Sequence, residues 1–157
     1  MCHLKARDIL KTFMAEYLTK VILDTSIYIP FINAGISHPV LELEYKPLFY
    51  MSAVVIEELY AGAFDSVSIK LLDRMYETFE DLGRTVVPDA SDWQKTGKVV
   101  AKLSKKYGFD EKFLLKITND VLIAFSARRI GAVVVTSNVK DFLRIKEFVD
   151  FKIYGEI

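Results

Sequence analysis

The sequence has almost none of the residues that build disulfide frameworks or thiolate metal sites. Cys2 is the only cysteine among 157 residues, which excludes a disulfide within the chain and a zinc site made of cysteines. The two histidines, His3 and His38, do not fall within any recognisable metal or base motif. Such sparse cysteine fits a reducing compartment, and we expect a cytoplasmic protein.

Long apolar stretches are also missing. The longest runs, such as 121–125 and 130–135, are far shorter than the roughly 18 residues that indicate a membrane span. The first residues lack the apolar region and cleavage site of a secretory signal, so we expect no membrane attachment. Basic and acidic residues balance at 21 each, so overall charge neither favours nor excludes a polyanionic partner.

What the chain does contain is enough apolar material for one domain. A length of 157 residues with 52% hydrophobic content can bury a full core. Residues 1–19 have only weak helical periodicity and precede the first strand signal, so we give them no catalytic role. We expect an N-terminal extension over 1–19 and a single domain over 20–157.

Strand and helix patterns alternate from residue 20 onward. The predicted strands are 20–23, 48–51, 85–87, 132–136 and 151–154. The predicted helices are 25–33, 53–63, 67–82, 91–107, 119–130 and 141–148, with Thr118 or Asn119 as the cap of the fifth. The strands are continuous apolar runs rather than alternating patterns, which indicates a parallel sheet covered on both faces. We expect a three-layer α/β/α domain.

Four acidic residues lie beside these predicted core elements. Asp24 follows the first strand, and Asp141 lies five residues past Thr136, so both can face the crevice beyond the carboxyl ends of the strands. We expect Glu58 and Asp120 to lie on helices that begin near the same edge. Carboxylates next to an apolar core need a compensating partner, and several of them with water suit Mg²⁺ or Mn²⁺. The pattern predicts a metal-dependent enzyme.

Each acid also has a simpler interpretation. Asp24, Asp120 and Asp141 occupy positions where an acid can cap a helix or stabilise its first turn. Glu58 lies inside a predicted helix, where it can simply face solvent, and Glu57 competes for the same role. One at a time, the four residues do not establish a metal site.

Four short strings nevertheless occur in a meaningful order. They are Val21-Ile22-Leu23-Asp24-Thr25-Ser26, Glu58-Leu59 followed by Gly62, Asn119-Asp120 with Leu122-Ile123-Ala124, and Val135-Thr136-Ser137-Asn138 followed by Asp141-Phe142. Together they resemble the motifs of the PIN-domain family, specifically the VapC-like ribonuclease toxins, over residues 20–157. The resemblance selects Glu58 over Glu57. It implies a mostly parallel five-stranded sheet, Mg²⁺ or Mn²⁺ as cofactor, and endonucleolytic cleavage of RNA.

The resemblance also assigns roles to the four acids as catalytic residues. Asp24 and Asp120 would bind the metal directly, Asp141 directly or through water, and Glu58 would orient the attacking water or complete the metal shell. Three further side chains are expected to support these carboxylates, although local turn or cap bonding would explain them equally well: Ser26, Thr136 and Asn138. A cognate antitoxin and a homodimer are the expected protein partners.

A basic stripe is the best candidate in the sequence for an RNA contact. The helix predicted over 91–107 carries five lysines and no acid between Trp93 and Phe109. The lysines fall within an arc of roughly 100°, and they are Lys95, Lys98, Lys102, Lys105 and Lys106. Such a stripe is either solvated surface or a track for a phosphate backbone.

Several alternatives stay open at the level of sequence. A haloacid-dehalogenase-type phosphotransferase would have a second aspartate where this chain has Ser26, and the paired acids of a receiver domain are not recognisable. A housekeeping RNA-processing nuclease and an inactive module that binds RNA or protein remain alternatives to a toxin. The apolar cluster of Phe64, Leu71, Leu72 and Met75 can be either core or a protein interface.

Overall fold

A five-stranded sheet lies at the centre of the structure, a computed structural model that describes residues 19–43 and 47–155. The strands are β1 (Lys20–Leu23), β2 (Leu48–Ser52), β3 (Thr85–Val86), β4 (Val133–Val135) and β5 (Lys152–Tyr154). All pairings between these strands are parallel, and Ile22 of β1 lies opposite Tyr50 on one side and Val134 on the other. The prediction of a mostly parallel five-stranded sheet is confirmed.

Helices connect successive strands and cover the two faces of the sheet. They are α1 (Thr25–Ala34), α2 (Ala53–Ala61), α3 (Ser66–Asp81), α4 (Ala90–Tyr107), α5 (Glu111–Ile130) and α6 (Val139–Lys146). A short 3-10 helix, Pro39–Glu42, lies in the segment predicted as a loop. The arrangement is the predicted three-layer α/β/α sandwich. Within residues 19–43 and 47–155, no helix has both the length and the apolar character to cross a membrane.

The strand order β3-β2-β1-β4-β5 creates the position where a ligand is expected. The chain proceeds outward from β1 to β3 and then returns to place β4 on the other side of β1. Successive connections therefore diverge between β1 and β4, which opens a crevice at the carboxyl ends of these strands. The backbone N–H of Asp24 donates to the carbonyl oxygen of Val135 at 2.9 Å, so the two strand ends are directly adjacent.

The core is built from β1 and β4 together with the helices that cover them. Val21, Ile22, Val134 and Phe142 are completely buried. Burial of such side chains contributes about 1.5–3 kcal/mol each to the free energy of unfolding. This continuous apolar base supports the polar residues that follow the strands.

The apolar cluster noted in the sequence is divided between core and surface. Leu72 is buried, Leu71 and Met75 are half-buried, and Phe64 is 92% exposed. Only Leu72 therefore contributes fully to the core.

The predicted start of α5 is wrong by about two turns. The helix begins at Glu111, and the Asp110 carboxylate caps it by accepting from the backbone N–H of Phe113 at 2.8 Å. Thr118 is no cap, because its hydroxyl donates to the carbonyl oxygen of Leu114 within the helix. Asp120 consequently lies in the third turn of α5 rather than at its start.

Two other helix starts differ in detail from the prediction. Asp24 holds the N-cap position of α1, but its side chain makes no capping hydrogen bond. Helix α4 begins at Ala90, ahead of the predicted Ser91, because Asp89 and Asp92 form a reciprocal capping box. Ser52 does cap α2 as predicted, accepting from the N–H of Val54. The predicted extension lies outside the described residues except for Thr19.

Candidate active site

Three of the four predicted acids line one cavity of about 600 Å³ at the carboxyl edge of the sheet. Asp24 enters it from the end of β1, Glu58 from α2 and Asp120 from α5. Asp141, in the first turn of α6, is joined to the cavity through two residues that line it, Lys116 and Asn138. Four different elements therefore bring the four acids together.

Asp24 is buried, and two hydroxyl groups hold its carboxylate. Its Oδ2 accepts from Ser26 Oγ at 2.7 Å and from Thr136 Oγ1 at 2.8 Å. Thr136 Oγ1 in turn accepts from the backbone N–H of Asn138 at 2.9 Å. Ser26 and Thr136 thus lie where the sequence placed them, and they fix the orientation of Asp24.

Glu58 points into the cavity from the second turn of α2. Asn119 Nδ2 donates to Glu58 Oε1 at 2.9 Å, and the Thr25 hydroxyl donates to Oε2. The neighbouring Glu57 also reaches the rim of the cavity, but it is exposed. The hydrogen-bond network therefore includes Glu58, as the resemblance suggested.

Asp120 is the least compensated of the four acids. It is only 4% exposed, and among the described residues its one printed hydrogen-bond contact is a long one of 3.5 Å from Asn138 Nδ2. Burial, reinforced by the negative charge of Asp24, raises the pKa of Asp120 to about 8, although the Lys116 ammonium opposes the shift. A cation beside Asp24 and Asp120 would relieve both effects.

Asp141 has the opposite environment. Its carboxylate accepts from Asn138 Nδ2 at 2.9 Å, Lys116 Nζ at 3.0 Å and Arg144 at 3.3 Å. Burial alone would raise the pKa of Asp141, but the hydrogen bonds from Asn138 and Lys116 outweigh it and hold the pKa below its usual value.

The PIN-domain sequence profile matches residues 21–147. This chain belongs to the PIN-domain family. The recognition made from the four short strings is therefore confirmed, and the matched range includes every acid of the cavity. A comparison with curated proteins gave no match.

Solved structures also resemble this PIN domain. A chain of a DNA-bound VapBC complex from Salmonella typhimurium is 26% identical, with a TM-score of 0.62 over 87% of this chain and 98% of that chain. A chain of VapBC2 from Rickettsia felis is 24% identical, with a TM-score of 0.61 and the same coverages. A chain of FitAcB from Neisseria gonorrhoeae is 20% identical, with a TM-score of 0.60 over 85% of this chain and 96% of that chain. The latter two support the fold alone.

The donor set of the PIN domain fits a hard divalent cation in chemistry but not yet in geometry. Carboxylate oxygens with a nearby amide are the ligands that Mg²⁺ and Mn²⁺ prefer. Across the described ranges, however, no three acidic, histidine or cysteine side chains form a group that could hold a metal ion as they stand. Hydrogen bonds tie Asp24, Glu58 and Asp141 to protein partners. Metal binding would require side chains to exchange these partners.

Sequence reasoning missed four residues of this site, of which Lys116 is the most important. Lys116 precedes Asp120 by four residues, which places both on one face of a helix. The wrong start for α5 hid this relation, because Lys116 then fell before the helix. The others carry no separate sequence signal: Thr25, Asn119 and Arg144.

The predicted basic stripe lies apart from the acids. All five lysines are exposed on α4, and none of them lines the acidic cavity. Lys106 is paired with Glu147 and its neighbour Tyr107 bonds the same carboxylate, so one of the five charges is already compensated. The other four are Lys95, Lys98, Lys102 and Lys105.

Proposed function

We propose that this PIN-domain protein is a metal-dependent endoribonuclease that hydrolyses RNA phosphodiesters, and that it is the toxin of a toxin–antitoxin pair. The observation that carries the proposal is the convergence of Asp24, Glu58, Asp120 and Asp141 at the β1/β4 crevice, with Asp120 buried and poorly compensated. Structural carboxylates are normally paired, whereas one that requires a cation points to a binding site.

The four acids divide the chemical tasks. Asp24 and Asp120, with Asp141 directly or through water, would hold Mg²⁺ or Mn²⁺, which when bound would make a water acidic enough to attack phosphorus. Glu58 is oriented by Asn119 and Thr25, so its carboxylate can align that water. Ser26 and Thr136 keep Asp24 from rotating away. Asn138 contacts both Asp120 and Asp141 and holds their relative positions.

The toxin role draws support from the similarity to the VapBC chain from Salmonella typhimurium. An antitoxin would then bind this chain. An apolar surface next to the acids suits such a partner: a pocket lined by Ile29, Ile32 and Phe64 shares Glu58 with the acidic cavity. Exposed apolar surface of this kind is typical of protein interfaces.

A second apolar surface suits the proposed homodimer. Trp93, Leu115 and Val87 are all more than half exposed and line one groove. Light scattering of the purified protein would measure its mass, and a strictly monomeric protein would contradict the dimer without affecting the nuclease proposal.

Cleavage of a mixed RNA pool tests the activity. We expect the wild-type protein to cleave RNA with Mn²⁺ and to lose cleavage when the metal is chelated. Asp24→Asn removes a proposed ligand while preserving its size, and we expect it to abolish cleavage. Glu57→Gln is the matched control, because Glu57 lies exposed on the rim, and it should retain activity. Full activity of Asp24→Asn would contradict the assignment of the site.

A further inference from the structure

Lys116 places a positive charge among the acids of the site. It lies on α5 one turn before Asp120, and its Nζ is 3.0 Å from Asp141 Oδ2. It also lines the cavity that contains Asp24 and Glu58. No other lysine lines that cavity in the described part of the chain.

The charges of three carboxylates act on Lys116. Its partial burial would lower its pKa, but the hydrogen bond and charge of Asp141, together with the charges of Asp120 and Asp24, raise it above the usual value. The ammonium therefore already supplies part of the positive charge that the acid cluster requires.

The two members of the ion pair differ in their freedom to move. The Lys116 side chain is 53% exposed, whereas the Asp141 side chain is 7% exposed. A half-exposed ammonium loses little when it leaves its partner, because water replaces the contact. Lys116 can therefore move away while Asp141 stays in place.

Arg144, the other cation on Asp141, is held more firmly. Its guanidinium lies over the rings of Tyr107 and Phe109, at 4.8 and 5.5 Å from their centroids. Guanidinium groups stack well on aromatic faces, and these contacts restrain the side chain. Of the two cations, Lys116 is thus the one that a competing ion can displace.

We propose that Lys116 is a positioning residue that serves as the internal counter-ion of the acid site: it holds Asp141 until a divalent cation binds, and it thereby sets how tightly the site takes up that cation. This inference rests on the metal-dependent function proposed above. An incoming dication competes with the ammonium for the oxygens of Asp141 and is repelled by it while both are near Asp120. Loss of the Lys116 charge should therefore strengthen metal binding.

Mn²⁺ titration of the full-length protein, followed by electron paramagnetic resonance, tests the proposal directly. We expect Lys116→Met to lower the Kd for Mn²⁺ by roughly tenfold, within the range of effects of residues that adjoin metal ligands. Lys116→Arg keeps the charge and should bind Mn²⁺ much as the wild type does. Lys112→Met is the matched control, since Lys112 is an exposed lysine one turn earlier on α5, and it should leave the Kd unchanged.

The outcomes separate this inference from the nuclease proposal. An unchanged or higher Kd in Lys116→Met, with Mn²⁺ binding still abolished by Asp120→Asn, overturns the counter-ion role and leaves the metal site standing. A failure of the wild-type protein and every variant to bind Mn²⁺ overturns both proposals. Thermal unfolding of each variant checks that the protein is folded, and a gain in affinity cannot arise from unfolding.

Discussion

Two aspartates on neighbouring helices are almost equally buried and yet differ in their surroundings. Asp92 on α4 is 3% exposed and Asp120 on α5 is 4% exposed. Asp92 accepts from Arg129 Nε at 3.1 Å and from the backbone N–H of Asp89, also at 3.1 Å. Asp120 has only the 3.5 Å contact with Asn138 among the residues described, and it has Asp24 as a negative neighbour.

The difference shows which buried acids deserve a functional interpretation. Asp92 belongs to a capping box and an ion pair, so its burial is explained by the structure of α4 alone. Asp120 contributes no such stabilising contact in the middle of α5. A buried carboxylate without compensation is tolerated where a cation or substrate will later supply it.

The largest expected effect is on activity. Asp120→Asn should reduce Mn²⁺-dependent RNA cleavage by at least about a hundredfold, because it removes a proposed metal ligand. Asp92→Asn, a substitution of the same size and chemistry at equal burial, should retain most of the activity of the wild type. Initial rates at saturating Mn²⁺ measure both. Equal loss in the two variants would abolish the distinction drawn between them.

Stability should respond in the reverse order. Asp92→Ala removes the capping-box side chain and the partner of Arg129, and we expect a loss of about 1–2 kcal/mol in the free energy of unfolding. Asp120→Asn removes a strained carboxylate and should not destabilise the metal-free protein. Urea denaturation in the presence of a chelator gives both values. A marked destabilisation by Asp120→Asn would mean that Asp120 is structural after all.

The pH dependence should distinguish Asp120 from its own variant. Its pKa rises from about 4 in an unfolded chain to about 8 in the folded protein. The folded state therefore binds this proton more tightly, so the contribution of Asp120 to stability is largest below pH 4 and is lost as the pH rises through 8.

Thermal unfolding of metal-free wild type and Asp120→Asn between pH 5 and pH 8 measures this contribution. The wild type should lose several degrees in Tm relative to the variant as the pH rises. A difference between the two proteins that does not change with pH would show that Asp120 titrates normally in the folded state.

The smallest expected effect concerns the basic stripe on α4. Reversing two charges in Lys98→Glu with Lys102→Glu should weaken RNA binding a few fold and flatten its salt dependence, if these lysines contact phosphates. The pair Lys70→Glu with Arg74→Glu has the same spacing on α3 and serves as the control, since both residues are exposed. Equal behaviour of the two pairs would identify the stripe as solvated surface.

Much of the fold could be predicted because local patterns and tertiary structure agree. The continuous apolar runs at 20–23 and 132–136 predict buried parallel strands, and β1 and β4 occupy these positions with shorter bounds. Asp24 and Thr136 could be placed at the crevice because each directly follows or ends such a run. The PIN-domain motifs depend on the same local order of residues, which is why they were recognisable.

The start of α5 could not be predicted from the same signals. Thr118 and Asn119 are good capping residues in isolation, but Asp110 caps the helix first, and Phe113, Leu114 and Ile117 pack against or within the core. Competition between two possible caps is decided by the burial of the residues between them. This error concealed the position of Lys116 relative to Asp120.

The sequence by itself determined the order of strands and helices, the PIN-domain family and the identity of the four acids, because these follow from local periodicity and short motifs. Only the tertiary structure decided which acids have partners. Arg129 reaches Asp92, and Lys116 reaches Asp141 across 25 residues of chain, whereas Asp120 is left with burial and a like charge. Compensation of a buried charge depends on side chains that are distant in sequence and adjacent in space, so it arises only when the chain has folded.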